Sequence, residues 1–303
     1  MTRPPVVILG PTASGKSDVA MHVAHEVAGV AIVAVDAMMV YRGMDIGTGK
    51  PSVEDRRAAP HHCLDIADPS QRFTVAEFQK HAQSAMADIA DREGHALLVA
   101  GTGMYLQVLI DGFTLPGEYP EIREALDQRD TAEMYAELRE LDPDAASKME
   151  PTNTRRVVRA LEVCLGSGKK FSSFGPGADT YPDTDIKQIG ILWPRESLAE
   201  RIERRVHSMI AAGWLDEVRR LMQSPMSDTA RQALGYKELI AHIAGNISLD
   251  EAVAQTVLRT RQFAVRQERW FRRDPRIEWV NIDPSGNLVE QVAPRVLNCL
   301  GQI

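Results

Sequence analysis

The stretch "GPTASGKS", Gly10 to Ser17, constrains this chain more than any other. It fits the G-x-x-x-x-G-K-[ST] pattern completely, between a β-branched apolar run, Val6 to Leu9, and a helical pattern from Lys16 to about Ala28. Gly10 and Gly15 let backbone N–H groups turn inward around a phosphate, with Pro11, Thr12, Ala13 and Ser14 completing the loop. The positive end of the following helix adds to the attraction. Lys16 is expected to bind terminal phosphate oxygens, and Ser17 to hold Mg²⁺. A second apolar run, Val30 to Val35, makes a strand–helix–strand unit and so implies a parallel sheet with right-handed crossovers. The expected fold is α/β: a P-loop NTPase-like parallel sheet flanked by helices, binding a di- or triphosphate.

The remaining pattern divides the chain. "FTVAEFQKHAQSAMADIADR" opens with a capping box, Thr74 and Glu77, and "ALLVAGTGMYL" supplies a third buried strand running into a glycine turn. From Leu115 the sequence becomes charged and helical, and a loop rich in Gly, Ser and Pro leads back to the strand "IKQIGILW". Three parts are expected: residues 1–114 as the first part of the core, 115–183 as a helical insertion, and 184–303 as core completion with C-terminal helices. Long helices are predicted over Ser197–Gln223, Thr229–Ala244 and Leu249–Arg273, then a strand "RIEWVNI" and a final helix.

The chemistry is less determined than the fold. A P-loop ATPase usually carries an acidic residue at the end of a second strand to hold Mg²⁺. Here the strand at Leu97 to Ala100 runs into "GTGMY" without an acid, and the only strand-terminal acid is Asp36. That weakens an ATP-driven motor or switch and leaves two chemistries: a small-molecule kinase, or a transferase whose leaving group is diphosphate. Asp36 is expected on the strand next to the P-loop strand, at the carboxyl edge where open α/β sheets bind ligands. His61 and His62 are adjacent on extended chain and point to opposite sides, so they do not read as a metal pair. Three scattered cysteines without a C-x-x-C pair suit reduced thiols in a cytoplasm. The short apolar run at the N-terminus is no secretory signal, and no stretch approaches the roughly 20 apolar residues of a membrane span.

Eight segments in order, "GPTASGKS", "VYRGMDIGTGKP", "PHHCLDI", "AGTGMYL", "RRVVRALEV", "AAGWLDEV", "RQALGYKEL" and "TRQFAVRQERWFRR", resemble the tRNA dimethylallyltransferases nearly end to end. The resemblance implies transfer of a five-carbon prenyl group from dimethylallyl diphosphate to N6 of adenosine 37, beside the anticodon, with Mg²⁺ as cofactor. It makes Asp36 the general base and Thr102 a residue beside the reacting centre; on residue type alone, Thr102 is a turn residue between two glycines. Lys50 reads either as a phosphate ligand or as a surface lysine. The segments matching tRNA contacts contain Asp36, Ala37, Met38, Met39, Thr102, Arg155, Arg156, Arg159, Gln232, Gly235, Tyr236, Lys237, Arg266, Gln267, Arg269 and Arg272, with Arg123 in the insertion a looser match. The insertion would grip the anticodon stem of a cytoplasmic tRNA, and the enzyme is expected to act as a monomer.

A net charge of −7 argues against wholesale wrapping of nucleic acid but leaves room for a local basic face. Residues 259–273 supply one, with six arginines against one glutamate, interleaved with Phe263, Trp270 and Phe271. That composition suits phosphate contact with stacking, or else an amphipathic helix whose aromatic side is core. The departure from the family lies at Asp36-Ala37-Met38-Met39, where most members read Asp-Ser-x-Gln. Two alternatives follow: the same transfer to a free adenine nucleotide, as in the adenylate isopentenyltransferases, or a metabolite kinase.

Overall fold

A computed structural model describes residues 3–175, 177 and 179–301. Two compact units emerge, one from Met1–Ile110 with Tyr181–Ile303, the other from Asp111–Thr180. The first contains β1 (Val6–Leu9), α1 (Lys16–Glu26), β2 (Val30–Val35), α2 (Val53–Ala58), β3 (His61–His62), α3 (Val75–Asp91), β4 (His95–Ala100) and α4 (Gly103–Ile110). The second holds α5 (Pro120–Leu126), α6 (Thr131–Leu141), α7 (Pro143–Ser147) and α8 (Thr154–Ser167). The first then resumes with β5 (Lys187–Leu192), α9 (Arg195–Ala211), α10 (Trp214–Leu221), α11 (Asp228–Arg231), α12 (Tyr236–Ile243), α13 (Leu249–Phe271), β6 (Ile277–Asn281) and α14 (Leu288–Cys299).

The six strands form one sheet, every pairing parallel, in the order β3-β2-β4-β1-β5-β6. Alternation along β1 sends Val7 and Leu9 into the core on one face, and Val6 and Ile8 into the core on the other. That is why the run is apolar throughout: helices cover both faces. The order corrects one expectation. Asp36 does not follow a strand next to β1, because β4 lies between β2 and β1. The register pairs both Val35 and Leu9 with Ala100, so the three strands end level.

Two predicted helices are each broken in two. The run from Ser197 is α9 and α10, interrupted at Gly213, and the run from Thr229 is α11 and α12, interrupted at Gly235; both glycines have left-handed φ, +96° and +83°. Hydrophobic periodicity continues across these turns, so it could not reveal them. The capping box of α3 is present, with Thr74 Oγ1 accepting from Glu77 N at 3.2 Å. α2 and the two-residue β3 have no counterpart in the predicted pattern. The Gly/Ser/Pro loop contains one 3-10 turn, Phe171–Phe174; Pro176 and Ala178 lie outside the described residues. Among the described residues no helix is long and apolar enough to cross a membrane.

Candidate active site

The loop after β1 is the cradle its sequence implies. Gly10, Ala13 and Gly15 all have positive φ, which curls consecutive amides around one point. Gly15 has φ +87°, a conformation strained for any other residue, and a Cβ there would lie 2.1 Å from Leu288 Cδ2 and push that side chain aside. Lys16 folds across the loop and donates to Gly10 O at 2.9 Å and Pro11 O at 2.8 Å. Ser14 is fully buried and its Oγ has no partner, as an acceptor-seeking group in a phosphate site would be. From outside, Trp193 Nε1 donates to Ser14 O at 3.0 Å and Arg201 Nε to Ala13 O at 2.9 Å, with Arg201 stacked 4.4 Å over the Trp193 ring. Ser17 is exposed at the start of α1, where its hydroxyl is open to a hydrated cation.

Burial lowers the Lys16 pKa to about 7, helped by the positive charge of Arg205 and opposed by Asp36. Arg205 is itself pushed below its ordinary value, chiefly by burial, while Asp36 and then Asp18 pull it back. Two desolvated cations therefore face one carboxylate beside the cradle, an arrangement that favours a dianionic ligand. Sequence reasoning missed Arg205. The available signal was Arg201 and Arg205, four residues apart on one face of α9.

Asp36 follows β2, and its Oδ1 accepts from Met38 N at 2.8 Å and Met39 N at 3.2 Å. Ala37 N donates to Thr102 Oγ1 at 3.2 Å, tying the turn after β2 to the turn after β4. Two of the three residues after Asp36 thus serve by backbone N–H to orient its carboxylate. Met38 packs against the core, and Ala37 and Met39 are half-buried beside it. Strand spacing puts Asp36 two strands, roughly 10 Å, from the end of β1, with Thr102 between.

Several residues expected to meet tRNA hold the protein together instead. Tyr236 is fully buried against Trp214 and donates from its hydroxyl to Glu217 Oε1 at 2.7 Å; Gly235 is buried under the same tryptophan. Glu217 also accepts from Asp45 N, Ile46 N and Gly47 N at 2.7–3.2 Å, fixing the loop that carries Lys50. Lys50 is neither a phosphate ligand nor a surface lysine. Its side chain is 1% exposed and donates to Tyr41 O, Asp45 Oδ1 and Asp65 Oδ1. Gln267 is buried between the cradle and the turn after β4. In the second unit Arg159 and Arg123 lie 3.0 and 3.6 Å from buried Glu162, and Arg159 also donates to the carbonyls of Pro116 and Gly117. Side chains that close on a buried acid are poor candidates for a mobile phosphate contact.

Others remain open to solvent. Arg155 and Arg156 are exposed at the start of α8, as are Gln232, Lys237, Arg266, Arg269 and Arg272. Arg272 pairs with Glu268 at 2.7 Å and lies over Trp279, and Arg266 lies over Phe263. Phe271 is buried and Trp270 packs on the core, with Arg273 4.1 Å over its ring. The aromatic side of α13 is therefore largely core, and its solvent side is basic. Among the described residues no group of three His, Cys, Asp or Glu side chains could hold a metal.

The IPP transferase family model matches residues 39–274, and an isopentenyl transferase model matches residues 5–65. The chain is 45% identical to the tRNA dimethylallyltransferase of Geobacter metallireducens, over 91% of each chain. It is 41% identical to that of Pelotomaculum thermopropionicum, over 98% of this chain and 96% of the relative. Among solved structures, the tRNA delta(2)-isopentenylpyrophosphate transferase of Staphylococcus epidermidis is 32% identical with a TM-score of 0.71, covering 99% of both chains. A eukaryotic dimethylallyltransferase acting on tRNA superposes with a TM-score of 0.83 at 26% identity, over 97% of this chain and 78% of its own.

Proposed function

The chain belongs to the IPP transferase family, and from that premise we propose that it transfers a dimethylallyl group from dimethylallyl diphosphate to N6 of adenosine 37 in tRNA, releasing diphosphate. The observation that carries this reading is the level ending of β2, β4 and β1, which aligns Asp36, Thr102 and the phosphate cradle along one sheet edge. A phosphoryl transfer could also use a carboxylate at this strand end, and it is the family match that favours prenyl transfer over a kinase. A prenyl transfer needs an acceptor-side base beyond the leaving group.

In this mechanism the backbone amides of Ala13, Gly15 and Lys16, with the Lys16 and Arg205 side chains, neutralise the diphosphate, and Ser14 Oγ finds its acceptor there; Thr12 N and Ser14 N are already bonded to Gln267 and Pro11. Ser17 would hold Mg²⁺ together with diphosphate oxygens; the ion, when bound, offsets charge that builds on the leaving group. The bond from the allylic carbon to the diphosphate oxygen breaks as the bond from N6 to that carbon forms. N6 gives a proton to Asp36, whose second oxygen faces Gly101 and is not used by the turn amides. Thr102 accepts from Ala37 N and retains its own O–H to orient the reactants. Half-buried Met38 and Met39 give the prenyl group an apolar, deformable wall. The exposed arginines of α13 and α8 would hold the RNA backbone, the second unit meeting the anticodon stem. The enzyme would act as a single chain in the cytoplasm, where its tRNA is.

The test is incubation with labelled dimethylallyl diphosphate, Mg²⁺ and either unmodified tRNA bearing A36-A37 or AMP. Label in the tRNA alone is expected. Label in AMP alone would transfer the reading to a free nucleotide acceptor, and consumption of ATP with no label in either would favour a kinase.

A further inference from the structure

Gln267 lies on the inward stripe of α13, with Ala264 one turn before and Phe271 one turn after, all buried. It is 6% exposed. Both ends of its amide are used, and by different parts of the site. Oε1 accepts from Thr12 N in the cradle at 2.9 Å, and Nε2 donates to Gly101 O at 2.6 Å, in the turn after β4. Gly101 precedes Thr102, and a Cβ built on it would lie 3.2 Å from Asp36 Oδ2 and 3.6 Å from Gln267 Nε2. One side chain thus spans from the phosphate loop to the residue that packs on the carboxylate.

We infer that Gln267 is a positioning residue that sets the registry between the phosphate cradle and the Asp36–Thr102 turn, and not an RNA contact. The inference rests on the transfer reading above for its kinetic consequence. The cradle is otherwise supported from the far side, by Trp193 and Arg201, and the two turns on the acceptor side are joined to each other by Ala37 and Thr102. The β1–β4 ladder sets these two bodies side by side as far as Leu9 and Ala100, and Gln267 joins them beyond its end. Its amide suits the task because it presents one donor and one acceptor in a fixed plane. A displacement of about 1 Å between donor carbon and acceptor nitrogen lowers turnover by about 10²-fold, while each half of the site still binds its own ligand.

The test compares Q267M and Q267E with the unaltered protein. Q267M should lose about 10–100-fold in kcat, with the Kd for inorganic pyrophosphate and Mg²⁺ and the Kd for an anticodon stem-loop RNA each changed less than about threefold. In Q267E a protonated carboxyl can donate to Gly101 O while its carbonyl accepts from Thr12 N, and an ionised one can only accept. The ratio of Q267E to unaltered kcat should therefore rise as pH falls, by up to about tenfold per unit. A flat ratio would overturn the inference. So would a Q267M that loses about tenfold or more in RNA affinity but keeps its turnover at saturating RNA. Amide exchange at Thr12, measured in the ligand-free protein, is independent of the reaction. Acceleration of about tenfold or more in Q267M supports the strut even if no prenyl transfer occurs, and unchanged exchange at Thr12 in that variant refutes it.

Discussion

The phosphate cradle draws all its backbone donors from eight consecutive residues, Gly10 to Ser17, whereas the acceptor side takes Asp36 from the end of β2, Thr102 from the turn after β4 and its brace from α13. The first is a local structure, set by glycines that permit its dihedral angles and by a strand and helix that hold its ends. The second exists only after the sheet order β2-β4-β1 has formed. Local assembly makes the cradle readable, while Trp193, Arg201 and Gln267 brace it from elsewhere in the chain. Assembly across the fold makes the acceptor side sensitive to residues that touch neither substrate.

The largest effect separates the two regions outright. Asp36→Ala should reduce turnover by about 10²–10⁴-fold while pyrophosphate binding is largely kept. Single-turnover rates and a separate binding titration measure the two quantities. Near-normal turnover would remove Asp36 from the chemistry; a parallel loss of pyrophosphate affinity would mean that the regions are not separable.

Next comes the pH dependence of the cradle. With its pKa lowered to about 7, Lys16 is cationic below that pH in the free protein and loses its charge above it. A bound diphosphate favours the cation and raises the pKa, so binding takes up a proton in the interval between the two values. Pyrophosphate affinity should then weaken as pH rises above about 7, by up to about tenfold per unit attributable to this group. Calorimetry in two buffers of different ionisation enthalpy reads the proton uptake directly. Lys16→Met should abolish it along with much of the affinity, and an unchanged slope in that variant would assign the titration elsewhere.

The same division explains what the sequence disclosed. Strand–helix alternation and the P-loop were legible because hydrophobic period and glycine spacing are local properties, and the parallel sheet follows from them. The place of β4 between β2 and β1 was not, since strand order depends on crossovers that leave no mark on either strand. Asp36 stood out as the only strand-terminal acid. Arg205 did not, because one arginine of a charged helix looks like its neighbours until its burial is known. Tyr236 and Gln267, expected to face RNA, and Lys50, left open between a phosphate ligand and a surface lysine, all satisfy buried partners, which a polar residue in a functional segment does not announce.

On the acceptor side the exposed arginines should contribute individually small, salt-dependent terms. Arg269→Ala should weaken binding of an anticodon stem-loop RNA several-fold and lower the slope of log K against log salt by about 1. Filter binding across a salt series measures both, and pyrophosphate affinity should not move. An unchanged slope would place the RNA on another face.

Tyr236→Phe gives the smallest expected effect on function and asks whether the buried tyrosine belongs to the acceptor surface at all. The substitution removes one hydroxyl from Glu217 and leaves three backbone donors, from Asp45, Ile46 and Gly47, on the same carboxylate. The ring keeps its edge-on packing against Trp214, with centroids 5.6 Å apart. A hydrogen bond to a charged group contributes about 1.5–3 kcal/mol, so the unfolding free energy should fall by that amount, read as a lower denaturant midpoint at unchanged slope. The loop over residues 45–50 should stay in place because its three amides still have an acceptor. RNA affinity and kcat should therefore change by less than about twofold. A variant with intact stability and weakened RNA binding would mean that Tyr236 leaves its pocket to meet the RNA, and the acceptor side would then be a surface that forms only on binding.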